Sequence, residues 1–253
     1  ILIDKKWQLQ STISNEFVQK NFNTEVGWES VEFNRDWNIL TNFATKNLFS
    51  SELKLQNKEK GFAFYKYSNL SYPDVYNGNK HELNAKLQLN NTFLSAKSSF
   101  LQNTSTLENN TFFIATAKAE QRFTKSWLGA FTNIENNSRQ NKVTKEFVAT
   151  SHKFKEYETY FGIGDSTKVF AKIGFNFRNN DSIKENTFKE INNRKTFYIN
   201  SKLIENKTTS LSLYANYRNT TNSFIADEQS LNSRIIFSKK LFKNIVNFAT
   251  SFE

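Results

Sequence analysis

Lys168-Val169-Phe170-Ala171-Lys172-Ile173-Gly174-Phe175-Asn176-Phe177-Arg178 is the stretch that decides the fold. Val169, Ala171, Ile173, Phe175 and Phe177 fall on one side of an extended chain, and Lys168, Lys172, Asn176 and Arg178 on the other. A period of two segregates these residues, and a period of 3.6 does not. The alternation recurs in both directions from here. Upstream, Leu83, Ala85, Leu87 and Leu89 alternate with Glu82, Asn84, Lys86 and Gln88. Downstream, Phe197, Ile199 and Leu203 stand against Tyr198, Asn200 and Lys202, and Leu211, Leu213, Ala215 and Tyr217 against Ser212, Tyr214, Asn216 and Arg218. Near the end, Val246, Phe248, Thr250 and Phe252 alternate with Asn247, Ala249 and Ser251.

The connections sort by length. Tight-turn compositions occur at Asn57-Lys58-Glu59-Lys60-Gly61, Asn90-Asn91-Thr92, Phe123-Thr124-Lys125-Ser126, Gly164-Asp165-Ser166-Thr167 and Asn206-Lys207-Thr208, where Asn and Asp supply the positive-φ tolerance that scarce Gly does not. Between them lie longer polar stretches, at 71–80, 102–110, 135–150, 179–194 and 219–229. Short turns at one end and long loops at the other predict an all-β, antiparallel up-and-down transmembrane β-barrel with roughly 12 to 14 visible strands. Asn21 to Phe33 reads as a further strand, interrupted by Asn34-Arg35-Asp36-Trp37-Asn38, so residues 1–47 are the less regular part of what reads as one domain over 1–253.

Composition fits that reading. No run of 18 apolar residues exists among the 253, so no transmembrane helix is encoded, whereas a barrel strand needs only about ten residues with one apolar face. The absence of cysteine excludes disulfide scaffolds, thiolate metal sites and cysteine nucleophiles. The chain starts at Ile1 and contains no Met, and it ends on Phe252-Glu253 where a barrel's final strand would close on an aromatic residue, so it is expected to be a piece of a longer protein.

These features together resemble the integral outer-membrane β-barrel proteins of Gram-negative bacteria. Val31-Glu32-Phe33-Asn34-Arg35-Asp36-Trp37-Asn38 and Tyr76-Asn77-Gly78-Asn79-Lys80-His81 are similar to segments of large, poorly characterised barrels, porin-like or secretion-translocon-like. The resemblance implies an outer-membrane location, a lipid bilayer as partner and other envelope proteins recruited through the long loops. A family of unknown role implies no catalytic or binding residues.

On this reading Leu83, Leu87, Leu89, Val169, Ile173, Phe175, Leu211, Leu213, Val246 and Phe248 face lipid, and Tyr65, Tyr67, Tyr72, Trp127, Tyr157, Tyr160 and Phe161 are candidates for the aromatic girdles. Lys86, Lys97, Lys118, Lys172, Arg178, Lys202, Arg218 and Arg234 fall on the polar face beside fewer acids, such as Glu82, Glu120, Glu156 and Glu158. If that face is the lumen it is net basic, and an open lumen would favour anions; the alternative is that these charges pair, or contact a plug or partner, and meet no permeant solute. The net charge of +10 does not argue for nucleic acid, since the cations are dispersed and form no recognisable motif.

No catalytic residue, cofactor or metal site is expected. Ser151 and His152 are adjacent, so regular β structure points them to opposite faces and they cannot act as nucleophile and base. His81 and His152 lack metal-ligand spacing, and Gly162-Ile163-Gly164 precedes no helix that could cradle phosphate. The function expected is a pore, transport channel or translocon component. The alternatives are a non-transport scaffold in an envelope complex and a soluble, multi-stranded carbohydrate-binding protein.

Overall fold

The computed structural model describes residues 2–4, 6–19, 33–39, 45–165, 168–241 and 246–252. Fourteen strands follow one another: β1 (Leu2–Asp4), β2 (Trp7–Val18), β3 (Lys46–Asn57), β4 (Gly61–Tyr72), β5 (Tyr76–Leu89), β6 (Thr92–Ser105), β7 (Glu108–Arg122), β8 (Ser126–Asn141), β9 (His152–Gly164), β10 (Phe170–Lys184), β11 (Thr187–Glu205), β12 (Thr209–Asn222), β13 (Glu228–Leu241) and β14 (Val246–Phe252). The twelve from β2 to β13 are 12 to 19 residues long. Each strand pairs antiparallel with the next, in one sheet whose spatial order is its sequence order. Among the described residues no ladder joins β14 to β1. Among the described residues one short helix, α1 (Phe33–Asp36), interrupts the meander, and no helix is long and apolar enough to cross a membrane.

Four of the five expected short turns are present, with Asn90 and Gly61 at positive φ, while Ser166 and Thr167 of the turn after Gly164 lie outside the described residues. Of the expected long loops, the one over 135–150 keeps ten connecting residues, 142–151, between β8 and β9, and the others are shorter than expected. Most of the polar stretches read as loops are continuations of the strands: β4 and β5 are joined by 73–75, β6 and β7 by 106–107, and β10 and β11 by Glu185 and Asn186 alone. Those two residues have φ of 52° and 56°, the pattern of a two-residue hairpin turn whose twist matches the strands it joins. Alternation fails in these strand ends because both of their faces are polar. The strand expected over Asn21 to Phe33 falls outside the described residues except for Phe33, which is helical.

Direct cross-strand partners share a face, so the registers divide the strands into an apolar and a charged side. On the apolar face, β5 carries Leu83 to Leu89, β9 Tyr157 to Ile163 and β10 Ala171 to Phe177. A row of rings, Tyr67, His81, Phe100 and Phe113, crosses β4 to β7 with each ring opposite the next. One step further along the same strands the row becomes Asn69, Asn79, Gln102 and Thr111. The face thus changes from aromatic to amide within two residues.

Burial inverts the order usual in water. Large apolar side chains on the apolar face are exposed, from Ile13 at 71% to Ile235 at 46%, with Tyr214 and Ile236 as exposed exceptions on the charged face. Of the buried polar side chains, Lys46, Ser68, Lys80, Asn103, Asn110, Glu120, Arg139 and Asn216 lie on the charged face, and Ser201 and Asn57 on the apolar one. The apolar core is also there. Trp37 and Ile39 pack with Leu70, Tyr72, Tyr76 and Leu101, flanked by Phe33, Leu48 and Phe112.

The sheet is also staggered. Ser11, four residues beyond the start of β2, lies in register through every intervening strand with Thr221, twelve residues beyond the start of β12. The turn end therefore recedes by eight residues over ten strands, always in one direction.

Candidate functional site

All eight basic residues singled out above, Lys86, Lys97, Lys118, Lys172, Arg178, Lys202, Arg218 and Arg234, fall on the charged face. Leu83, Leu87, Leu89, Ile173, Phe175, Leu211 and Leu213 fall on the apolar face. Val169 sits in the turn before β10 and is exposed, and the side chains of Val246 and Phe248 lie outside the described residues. Of the girdle candidates, Tyr65, Tyr67, Tyr157 and Phe161 are on the apolar face, whereas Tyr72, Trp127 and Tyr160 are on the charged one. That is a correction: parity within the strand, which two neighbouring aromatics cannot share, decides the face.

On the charged face the aromatics lie over glycines. A Cβ on Gly129 would stand 2.1 Å from the Tyr160 ring, one on Gly162 2.2 Å from Trp127, and one on Gly174 2.3 Å from Tyr198. Glycine on one strand lets the ring of the next lie flat and reach beyond it. Tyr160 crosses β8 in this way and donates to Glu120 Oε2 on β7 at 2.8 Å, while Tyr198 crosses β10 and donates to Glu158 on β9.

Each glutamate so reached also meets cations. Glu120, 8% exposed, takes Arg122 Nε at 2.9 Å and Lys118 Nζ at 3.4 Å, and Glu158 takes Lys172 Nζ at 3.3 Å. Lys172 also lies 3.8 Å from the centre of the Tyr160 ring. Further along, Glu156 accepts from Asn176 at 2.8 Å and stands 4.0 Å from Arg178 Nη1. The carboxylates of β7 and β9 thereby hold part of the basic set in fixed, charge-assisted contacts. Arg194, directly opposite Arg178 on β11, belongs to the same set. The sequence reading missed it because it lies in a stretch taken for loop.

The chain itself covers one end of this face. Tyr76 donates to the Trp37 carbonyl at 2.5 Å and Asn103 Nδ2 to the same oxygen at 3.1 Å. Lys46 stands over the Phe33 ring at 4.7 Å and bonds Glu16 at 2.9 Å, Lys80 stands over Trp37 at 5.6 Å, and Asn38 donates to Asn137 on β8 at 3.4 Å. Residues 33–39 therefore touch the face from β3 to β8.

Each histidine is held by a neighbouring side chain. His81 Nδ1 is 2.7 Å from the Tyr65 hydroxyl, and His152 Nε2 is 2.7 Å from Glu135 Oε1. Ser151 is tied to the backbone of Arg139, accepting from its N–H and donating to its carbonyl, and does not bond His152. Among the described residues no group of three or more His, Asp or Glu could hold a metal ion. At the tip of the β10–β11 hairpin, a hydrogen bond from Lys189 holds the Glu185 carboxyl below the usual carboxylate range. Two cavities, of about 590 and 580 Å³, are depressions on the apolar face, the first between Leu128, Phe161, Ile173 and Phe197 and the second beside an alanine row, Ala85, Ala96 and Ala117. No protein-family description and no curated protein matches this chain.

Proposed function

We propose that this chain forms a bacterial outer-membrane β-barrel, or part of one, and works as a pore, transport channel or translocon component with a polar, net-basic lumen. The inverted burial carries the reading. A sheet in water hides its apolar face, whereas here Ile13, Leu53, Leu83, Phe161, Ile173 and Phe197 stand exposed while lysine, arginine and glutamate are buried on the reverse. Lipid supplies the missing cover.

Three further features support it. The apolar stretch on β5, β9 and β10 runs about 20 Å along the strand, on the scale of the ~25 Å apolar band of such barrels. The ring row at its border suits an interfacial girdle. The one-directional stagger is the register shift that tilted strands need in order to close. Solute or polypeptide would then pass along the charged face, whose excess of cations over acids favours anions.

Reconstitution into planar bilayers tests this. An anion-selective conductance is expected; no conductance, or preference for cations, overturns the pore. Partition of the folded chain into water without detergent would overturn the barrel itself. A second reading, a non-transport scaffold, is favoured by residues 33–39, which lie across the charged face from β3 to β8. A barrel that inserts and never conducts, even with Trp37 replaced by alanine, would establish that reading.

A further inference from the structure

Arg178, Arg194 and Arg218 lie on three successive strands of the charged face. Arg178 stands directly opposite Arg194, and Arg218, opposite Thr196, is its diagonal neighbour. Direct partners have Cβ atoms about 5 Å apart and diagonal ones about 7–8 Å, within mutual reach of arginine side chains. Like charges placed so destabilise a sheet unless something of opposite sign lies among them.

The protein supplies little. Among the described residues, the trio's ion pairing is the 4.0 Å contact between Arg178 Nη1 and Glu156 Oε2, and Glu156 already accepts from Asn176. Arg178 Nε donates to Asn180 Oδ1 at 2.9 Å. Arg194 Nε is buried and has no hydrogen-bond partner, a state that native proteins rarely leave unexplained. Its electrostatic neighbours are both other arginines and, of opposite sign, Glu156, the carboxylate already shared by Arg178 and Asn176. Glu228 shares the face, opposite Thr220, and pairs with none of the three. Immediately beyond, between Asn180 and Asp181, the register of β10 against β11 shifts. Such irregularities re-aim side chains beside sites.

We propose that Arg178, Arg194 and Arg218 form an oxyanion site on the charged face that binds phosphate, free or as the phosphoryl group of a larger solute. The planar guanidinium fork matches phosphate oxygens two at a time, so the site discriminates by geometry as well as by charge. The inference rests on the proposed channel only for how the solute arrives. The charged face alone makes the site.

Titration calorimetry of the full chain in a non-ionic detergent at low ionic strength, with inorganic phosphate as titrant, tests it. Saturable binding is expected, weakened about tenfold by Arg194→Gln or Arg218→Gln and less by Arg194→Lys, which keeps the charge and loses the fork. Lys54→Gln, which removes a cation of the same face on β3, should leave the affinity unchanged, with circular dichroism verifying the fold of each variant. Competition by glucose 6-phosphate assigns a phosphorylated solute, and its failure to compete assigns the free ion. Absence of saturable binding, or equal weakening by Lys54→Gln and Arg194→Gln, overturns the site. Binding is read without conductance, so a barrel that fails to conduct leaves this result standing.

Discussion

Over β3 to β8 residues 33–39 cover one end of the charged face, and over β9 to β12 none of the described residues does. In the first region Trp37 and Ile39 arrive from the β2–β3 connection and build an apolar cluster with Leu70, Tyr72, Tyr76 and Leu101. In the second the same face carries Glu156, Glu158, Lys172, Tyr198 and three arginines, held by cross-strand pairing and not by a core. Both surfaces are built on one alternating pattern. The polarity of a strand face says which medium it can tolerate, and a segment far away in the chain decides whether it meets that medium or a lid.

The contrast breaks most severely at Trp37. Trp37→Ala removes a side chain 5% exposed from the centre of the covered region and should cost about 3–5 kcal/mol, read by urea unfolding of the refolded protein in lipid. If the pore reading holds, the same variant raises conductance. A loss below about 1 kcal/mol would mean that the lid is a loose appendage, since surface substitutions fall in that range.

The next largest effect separates the two faces. Ile173, 55% exposed between Phe161 and Ile199, should cost about 2–4 kcal/mol when replaced by lysine in a bilayer, if it sits near the middle. In a water-soluble sheet the exposed Ile173→Lys would be nearly neutral, so unfolding in lipid against unfolding in buffer distinguishes the two. Gly129→Ala comes third. Its Cβ would stand 2.1 Å from the Tyr160 ring, so ring or backbone must move, at about 1–3 kcal/mol. In a Tyr160→Ala background the same change should cost little, since the atoms nearest the new Cβ are those of the ring.

What could be read in advance follows from the medium. The strands through Leu83–Leu89, Val169–Phe177 and Leu211–Tyr217 were legible because one face is apolar and the other polar, and so were the eight basic residues on the polar side. Their upper halves were not. Asn179, Asn193 and Thr221 on one face and Arg178, Arg194 and Asn192 on the other are all polar, and a strand with two polar faces has the composition of a loop. Arg194 was lost with that stretch. The pairing of Tyr160 with Gly129 and Glu120, and of Tyr198 with Gly174 and Glu158, was hidden for another reason: each links strands whose register no local pattern states. The lid was hidden likewise, because Trp37 finds Leu70 and Leu101 only after β4 to β6 have assembled.

The smallest expected effect sharpens the comparison furthest. Tyr160→Phe deletes one hydroxyl from the uncovered region and leaves its ring over Gly129, so packing is retained and only the bond to Glu120 Oε2 is lost. Glu120 keeps Arg122 and Lys118 as partners, which places the cost below the usual range for a bond to a charged group, at about 1 kcal/mol. Tyr76→Phe makes the matching change in the covered region, where the hydroxyl donates to the Trp37 carbonyl. That carbonyl retains Asn103 as a donor, so loss of stability should again be about 1 kcal/mol, yet here it falls on the contact that seats the lid. Urea midpoints in lipid should therefore shift by similar amounts for the two variants, while protease digestion of residues 33–39 should accelerate only for Tyr76→Phe. Equal acceleration in both would show that lid and charge ladder open together, as one cooperative unit rather than two.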